Sequence, residues 1–200
     1  MNLFYSHRPD PDTPLEETLD ALDTAVRSGK ALYCGISSYS GQQTLDVLRI
    51  CQRDGFVKPI IHQPNYSMLN RDVEADLLPV TAELGMGVIA FCPLAQGLLT
   101  PKYLNAIPED SRAKQESGFL QEDGVTSELV AKLNKLNAIA QDRGQSLAQL
   151  ALSWALRDPR MTSLIIGASR PQQVVDNVAA AEKLGFTEDE LVAIDVALTS

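Results

Sequence analysis

Apolar positions along this chain come in two rhythms, short solid runs and longer stripes at helical spacing. Leu3, Phe4 and Tyr5 form the first run, which closes on Ser6, His7 and an Arg-Pro break. A stripe follows, with Leu15, Leu19, Leu22 and Val26 three or four residues apart. That spacing predicts a helix, with Thr13 as N-cap, Pro14 at the first helical position and Glu16 and Glu17 at the positive end of the dipole. Gly29 stops it. The same two-part unit recurs. ALYCGISS predicts a strand and Gln42 to Arg53 a helix; PIIHQPNYS predicts a strand and Asp72 to Leu84 a helix. GVIAFCPL is a fourth strand-like run, followed by a long polar stretch over 100–126 and helices near Glu128–Arg143 and Ser146–Arg157. TSLIIGAS is the fifth run. A helix from Pro171 to Lys183 follows it, and a last helix starts at Thr187, with Glu190 completing a capping box.

Runs that are apolar on both faces and alternate with helices indicate a parallel sheet in an α/β fold. Two architectures fit, an open doubly wound sheet and a (β/α)8 barrel. Five strand-helix units favour the open sheet, because a barrel needs eight and typically about 250 residues. The polar residues favour the barrel, because every run closes on small or polar side chains. These are Ser6 and His7; Ser37 and Ser38; Gln63 and Asn65; Cys92 with Gln96 and Gly97; and Gly167 with Ser169 and Arg170. Parallel strands put all these ends on one side, and in a barrel they converge on the mouth where active sites lie.

Composition narrows the function. The chain has 200 residues, 44% hydrophobic and 22% charged, which is enough for a packed core. A formal net charge of -9 argues against nucleic acid, whose partners carry a basic face. Cys34, Cys51 and Cys92 are widely spaced and odd in number, with no C-x-x-C pair. Neither a disulfide framework nor a thiolate zinc site is expected, and a reducing cytoplasm fits best. No run is long enough to span a membrane, and no signal peptide precedes the first strand.

Each strand end also has an ordinary reading. A histidine after a strand can be a turn residue, and Ser-Ser before a helix can be a cap. The most specific segment is IIGASRPQQVVDN. It sets Gly167, Ser169 and Arg170 between a strand and a helix, where backbone amides, a hydroxyl and a guanidinium suit a phosphate. An ordinary turn with a surface arginine fits that stretch equally well. GMGVIA matches a dinucleotide fingerprint but precedes a strand, whereas the fingerprint needs strand, turn, then helix. There is no G-x-S-x-G elbow and no Walker loop. His7 and His62 lack an H-E-x-x-H context, so no metal is expected.

SHRPDPDTPLEETLDALDTAVRSGKALYCGISSYS, HQPNYSMLNR, PLAQGLLTPKY and LIIGASRPQQVVDNV resemble the aldo-keto reductases. The likeness runs from the first residue to about Ala181 and falls on the bacterial branch with glyceraldehyde 3-phosphate and methylglyoxal reductases, itself similar to potassium-channel β subunits. The resemblance implies a (β/α)8 barrel that uses NADPH to reduce small aldehydes or ketones. It implies that His7 positions and polarises the substrate carbonyl. It also implies that Ser37, Ser38 and Gln63 hold the nicotinamide carboxamide, while Phe91 stacks on the ring. Cys92, Pro93, Leu94, Gln96 and Gly97 would line the pyrophosphate, with Lys102 also at the cofactor. Gly167, Ser169, Arg170, Gln173 and Asn177 would receive the 2'-phosphate and adenine.

The resemblance carries expectations about what this chain holds. Residues 1–200 form a single domain that would begin at the fourth of eight strands and supply units four to eight. The family's tyrosine acid, with its aspartate and lysine, comes from the earlier strands, and a positioned acid typically contributes about 10²–10⁴-fold. Turnover by this chain alone is therefore expected to be impaired. A non-catalytic, dinucleotide-binding regulatory module is the alternative. Uncovered barrel edges would favour association with further copies. The family usually reads T-G-K-Y where this chain has Thr100-Pro101-Lys102-Tyr103, and proline there removes a backbone donor.

Overall fold

Each apolar run becomes a strand: β1 (Leu3–Ser6), β2 (Tyr33–Ser37), β3 (Ile61–Gln63), β4 (Gly87–Ala90) and β5 (Ser163–Leu164). The computed structural model describes residues 1–105 and 124–199. All five strands are parallel and lie in chain order. A doubly wound sheet reverses its strand order at a switch point, whereas consecutive barrel strands do not. The order is that of a partial (β/α)8 barrel, which removes the open-sheet alternative. β5 is shorter than its run, pairing only through Ser163 and Leu164.

The helices are α1 (Leu15–Arg27), α2 (Gly41–Asp54), α3 (Leu77–Glu83), α4 (Ser127–Asp142), α5 (Leu147–Leu156), α6 (Pro171–Val178) and α7 (Glu188–Thr199). Three differ from the sequence reading. Thr13 does not cap α1: its hydroxyl donates to Asp10 at 2.8 Å, and the helix starts on the Pro14 carbonyl. The helix expected over 72–84 is broken into a 3-10 turn at Asp72–Glu74 and then α3. Pro79 is the reason. It has no N–H and collides with the carbonyl four residues back, so it is tolerated only in a first turn, and restarting at Leu77 puts it there. The helix after β5 stops at Val178 and continues as a 3-10 turn, Ala179–Glu182. The capping box of Thr187 and Glu190 is present, with reciprocal bonds of 2.8 and 3.2 Å.

The chain divides into two units. The first comprises Met1–Tyr66, Arg71–Phe91 and Pro159–Leu164, and so holds the whole sheet. Its core packs Cys34 and Ile36 of β2 against Leu19 and Leu22 of α1 and Val47 and Cys51 of α2. Burial pushes both thiols up to about 11, so they remain protonated and behave as small apolar side chains. Asp23 joins α1 to the turn before β3: it accepts the Val57 N–H at 2.7 Å and Arg27 at 2.6 Å, while Arg27 donates to the Gly55 carbonyl. Phe4, Leu32, Tyr33 and Ile60 stay exposed on this unit.

The second unit comprises Ser67–Asn70, Cys92–Asp158 and Ile165–Ser200. Within it α4 packs against α5 and α7. A buried guanidinium, Arg143, organises its C-terminal part. Arg143 donates to Gln145 and to the Lys183 and Gly185 carbonyls, pairs with Glu190 at 2.6 Å and lies over the Phe186 ring. Removing it would leave Glu190 without its ion-pair partner and take a donor from two carbonyls. Val174, Val175 and Val178 of α6 and Val192 and Val196 of α7 are exposed.

His62 is fully buried on β3, where Nε2 meets the Tyr39 carbonyl at 3.1 Å and Nδ1 has no partner. Burial drives its pKa down to about 4 from 6.5, against the raising effect of the Tyr39 bond. The folded state keeps the ring neutral, while the unfolded chain takes up a proton below pH 6.5. Stability therefore falls as pH drops from 6.5 towards 4, by about 3 kcal/mol from this group. His62→Gln keeps an N–H donor without the titration. In denaturant melts between pH 7 and pH 4 it should lose about 3 kcal/mol less than the parent chain; parallel losses would count against the assignment.

Candidate active site

Parallel register decides which side chains share a face. Cys34 and Ile36 point into the helix layer, so Tyr33, Gly35 and Ser37 point the other way. Gly35 pairs with Tyr5 on one side and Ile61 on the other, and Ser37 pairs with Gln63. Ile61 pairs with Gly87, and the register carries on through an isolated bridge between Asn65 and Phe91. Tyr5, Gly35, Ser37, Gln63, Asn65 and Phe91 therefore lie on the face away from the helices, towards the C-terminal strand ends. His7 follows β1 by one residue and is exposed.

The first unit brings three expected residues into direct contact. The Ser37 hydroxyl donates to the Gln63 carbonyl at 2.7 Å, and the Ser38 N–H donates to the same oxygen at 3.2 Å. Neither serine caps α2. Ser40 does, accepting from the Gln43 N–H, while Gln43 returns a bond to the Ser40 N–H. The ordinary reading of the Ser-Ser pair is thus removed. Ser38 has φ of 61°, a left-handed conformation that serine adopts at a cost.

His7 and Phe91 also belong to the first unit, and the second holds the remaining expected residues. Cys92, Ala95 and Gln96 have φ of 54°, 45° and 59°, and Gly97 has 102°. With Ser38, these are the described non-glycine residues with positive φ, and all lie just beyond β2 or β4. Strain of this kind concentrates where a backbone is shaped for a ligand. Turn bonds hold the segment: the Ala95 N–H donates to the Cys92 carbonyl at 2.8 Å, and the Gly97 N–H to Leu94 at 2.9 Å. Pro93 is buried, and Leu94 half-buried. Pro101 opens a 3-10 turn capped by Thr100, whose hydroxyl accepts from the Lys102 N–H. At that position the proline's missing N–H breaks no helical bond.

Ser169 and Arg170 precede α6 and are exposed. Their backbone amides are engaged: both donate to Gln173 Oε1, at 2.8 and 3.0 Å, and the Ser169 hydroxyl lies 3.2 Å from the same oxygen. The sequence expects free amides here, and Gln173 holds them instead. The position of a Cβ on Gly167 meets nothing within 4 Å, so packing does not demand glycine there. A hydroxyl, a guanidinium, a helix start and open space suit an anionic group. Around Gln63, in the first unit, two hydroxyls, a side-chain amide and an aromatic ring lie at neighbouring strand ends, groups of the kind that can bond a carboxamide. Of the long polar stretch over 100–126, residues 106–123 lie outside the described residues.

Two side chains on this face that can hydrogen-bond are absent from the expected cofactor set, Tyr5 and Asn65. Both carry a legible signal, since Tyr5 is two positions before His7 and Asn65 two after Gln63. The Tyr5 ring lies against the Gly35 backbone, and burial raises its pKa, with the Gln63 side chain pulling the other way.

The family model described as the Aldo/keto reductase family matches residues 1–198. Among curated proteins, the chain is 50% identical to an L-glyceraldehyde 3-phosphate reductase of Escherichia coli (strain K12), over 98% of this chain and 57% of that protein. It is 37% identical to a probable voltage-gated potassium channel subunit beta of Oryza sativa subsp. japonica, over 96% of this chain and 60% of that one. Identity to a probable channel subunit beta of Arabidopsis thaliana is 38%, over 91% and 56%. The chain thus spans somewhat more than half the length of the curated relatives it matches.

Ser38→Gly separates strain from folding need. If the left-handed serine serves a site, glycine should leave unfolding free energy unchanged or raise it by up to about 1 kcal/mol. A loss of more than about 1 kcal/mol in denaturant titration would assign Ser38 to the fold instead.

Proposed function

From the premise that this chain belongs to the aldo/keto reductase family, we propose that it carries the cofactor-binding part of an NADPH-dependent reductase of small aldehydes or ketones. A substrate of the glyceraldehyde 3-phosphate or methylglyoxal type is the class proposed, and the cytoplasm its location. The observation that carries the reading is the double anchoring of the Gln63 carbonyl by Ser37 and Ser38 at the strand ends. The reductase of Escherichia coli at 50% identity supports the choice of substrate.

In this reading, bound NADPH would supply a hydride to the carbonyl carbon. The proton for the carbonyl oxygen would come from the acid that the resemblance places on the family's earlier strands. The chain's own residues bind and orient. Ser37, Ser38 and Gln63 offer the hydroxyls and amide that a nicotinamide carboxamide needs on both its N–H and C=O sides. Phe91 supplies an aromatic face for the ring. His7 donates to the substrate oxygen and polarises the carbonyl. The turn from Cys92 to Gly97, with Lys102, lies along the pyrophosphate. Gly167, Ser169, Arg170, Gln173 and Asn177 take the 2'-phosphate and adenine, and Arg170 is suited to the phosphate by its fork of donors.

A second reading rests on the channel β relatives at 37% and 38% identity. In it the chain binds dinucleotide as a regulatory module without turnover. The exposed apolar side chains of β1, α6 and α7 would in either case favour association of further copies.

Calorimetric titration with NADPH, followed by assays on glyceraldehyde 3-phosphate and methylglyoxal, decides between them. Binding with turnover supports the reductase, binding without turnover supports the regulatory module, and no binding overturns both. Arg170→Ala should weaken NADPH by about tenfold or more, the size of a lost charge-assisted bond, and NADH by less than about twofold. Equal weakening of the two would refute the role of Arg170.

A further inference from the structure

Tyr39 stands in the turn after β2 and is bonded to residues of both neighbouring strands, β1 and β3. Its ring is 4% exposed and belongs to the apolar cluster with Leu19, Leu22 and Ile36. Close packing of that kind restricts the ring to one position and so decides where its polar tip lies. The phenol oxygen lies 2.8 Å from Ser6 Oγ, on the last paired residue of β1. The Tyr39 carbonyl lies 3.1 Å from His62 Nε2 on β3. A carbonyl can only accept, so Nε2 carries the proton of the neutral ring. That agrees with Nδ1 having no partner among the described residues.

These bonds fall beside residues of the candidate site. Ser6 immediately precedes His7, and its hydroxyl also lies 3.4 Å from the Arg8 carbonyl, on the other side of that histidine. Ser38 immediately precedes Tyr39 and donates its N–H to the Gln63 carbonyl. β3 therefore holds two successive residues of the turn, Ser38 through the Gln63 carbonyl and Tyr39 through the His62 ring. His7 stands one residue beyond the ladder, which ends where Ser6 pairs with Ile36. The phenol ties that strand end to the held turn.

We propose that Tyr39 is a positioning residue that sets His7, through Ser6, relative to the platform of Ser38 and Gln63. This rests on the reading that His7 meets the substrate carbonyl while Ser38 and Gln63 meet the nicotinamide. Hydride addition is sensitive to such placement, because the reacting atoms must come to about 3–3.5 Å with their orbitals aligned. In this role Tyr39 touches neither reactant and transfers no proton.

Backbone 15N relaxation of the ligand-free chain tests the tie, with Tyr39→Phe removing the phenol oxygen and Ser6→Ala its partner. In both variants the order parameter of the His7 amide should fall from about 0.85 to below about 0.6. The His62 and Gln63 amides should keep theirs, because both variants retain the Tyr39 carbonyl and the packed ring. The double variant should fall no further than either single one, as one shared bond requires. An unchanged His7 amide overturns the proposal. So does a fall shared by His7 and His62, which would assign the phenol to fold stability alone. Calorimetry with NADPH separates these results from the cofactor reading. Both variants should bind within about twofold of the parent chain, since neither loses a group of the platform. A larger loss in Tyr39→Phe would put Tyr39 in the platform itself and overturn its role towards His7. An unchanged His7 amide in a chain that binds NADPH leaves the cofactor reading standing without Tyr39. If the parent chain does not bind NADPH, the cofactor reading fails on its own account, and the role of Tyr39 falls with it whatever the relaxation shows.

Discussion

The structure depends on one constraint, that neighbouring parallel strands keep their side chains in step. Because Cys34 and Ile36 must be buried against Leu19, Leu22, Val47 and Cys51, Gly35 and Ser37 have no choice of face. Pairing then passes that choice along the sheet, from Gly35 to Tyr5 and Ile61 and from Ser37 to Gln63. A slip of one residue would place Ser37 and Gln63 among the helices and Cys34 and Ile36 on the open face. The burial of an apolar layer thus determines which polar groups lie on the opposite face. The buried Asp23, clamped by Val57 and Arg27, adds to the same result by fixing α1 against the turn that enters β3.

Much of this was readable in the sequence, for reasons that differ by element. Strands were legible because both of their faces are covered in a parallel sheet, so they appear as solid apolar runs. A helix whose stop has a clear chemical cause, such as Gly29 after α1, was legible too; that glycine has φ of 75°. Thr13 failed as a cap because Asp10, three residues earlier, competes for its hydroxyl. The stretch over 72–84 failed because apolar spacing does not register the collision that Pro79 forces on a preceding turn. Choosing between open sheet and barrel needed strand order, which a count of units does not contain.

The candidate site was legible as a set of strand-end residues and much less so as a set of contacts. That Ser37 and Ser38 both bond the Gln63 carbonyl depends on register across strands 26 residues apart. Tyr5 stands inside an apolar run, and only the strand register shows its ring lying against Gly35 of β2. Nor does the sequence show the backbone strain at Ser38, Cys92, Ala95 and Gln96, since none of them is the glycine that usually marks such conformations.

Gln173 gives the start of α6 a resident acceptor. Its side-chain oxygen already receives the Ser169 and Arg170 amides, so the helix terminus does not stand bare to solvent. On the proposed cofactor reading, a group binding those amides would have to displace a tethered neutral oxygen. It would gain only the difference between two sets of hydrogen bonds, an exchange from which a dianion beside a guanidinium would gain most.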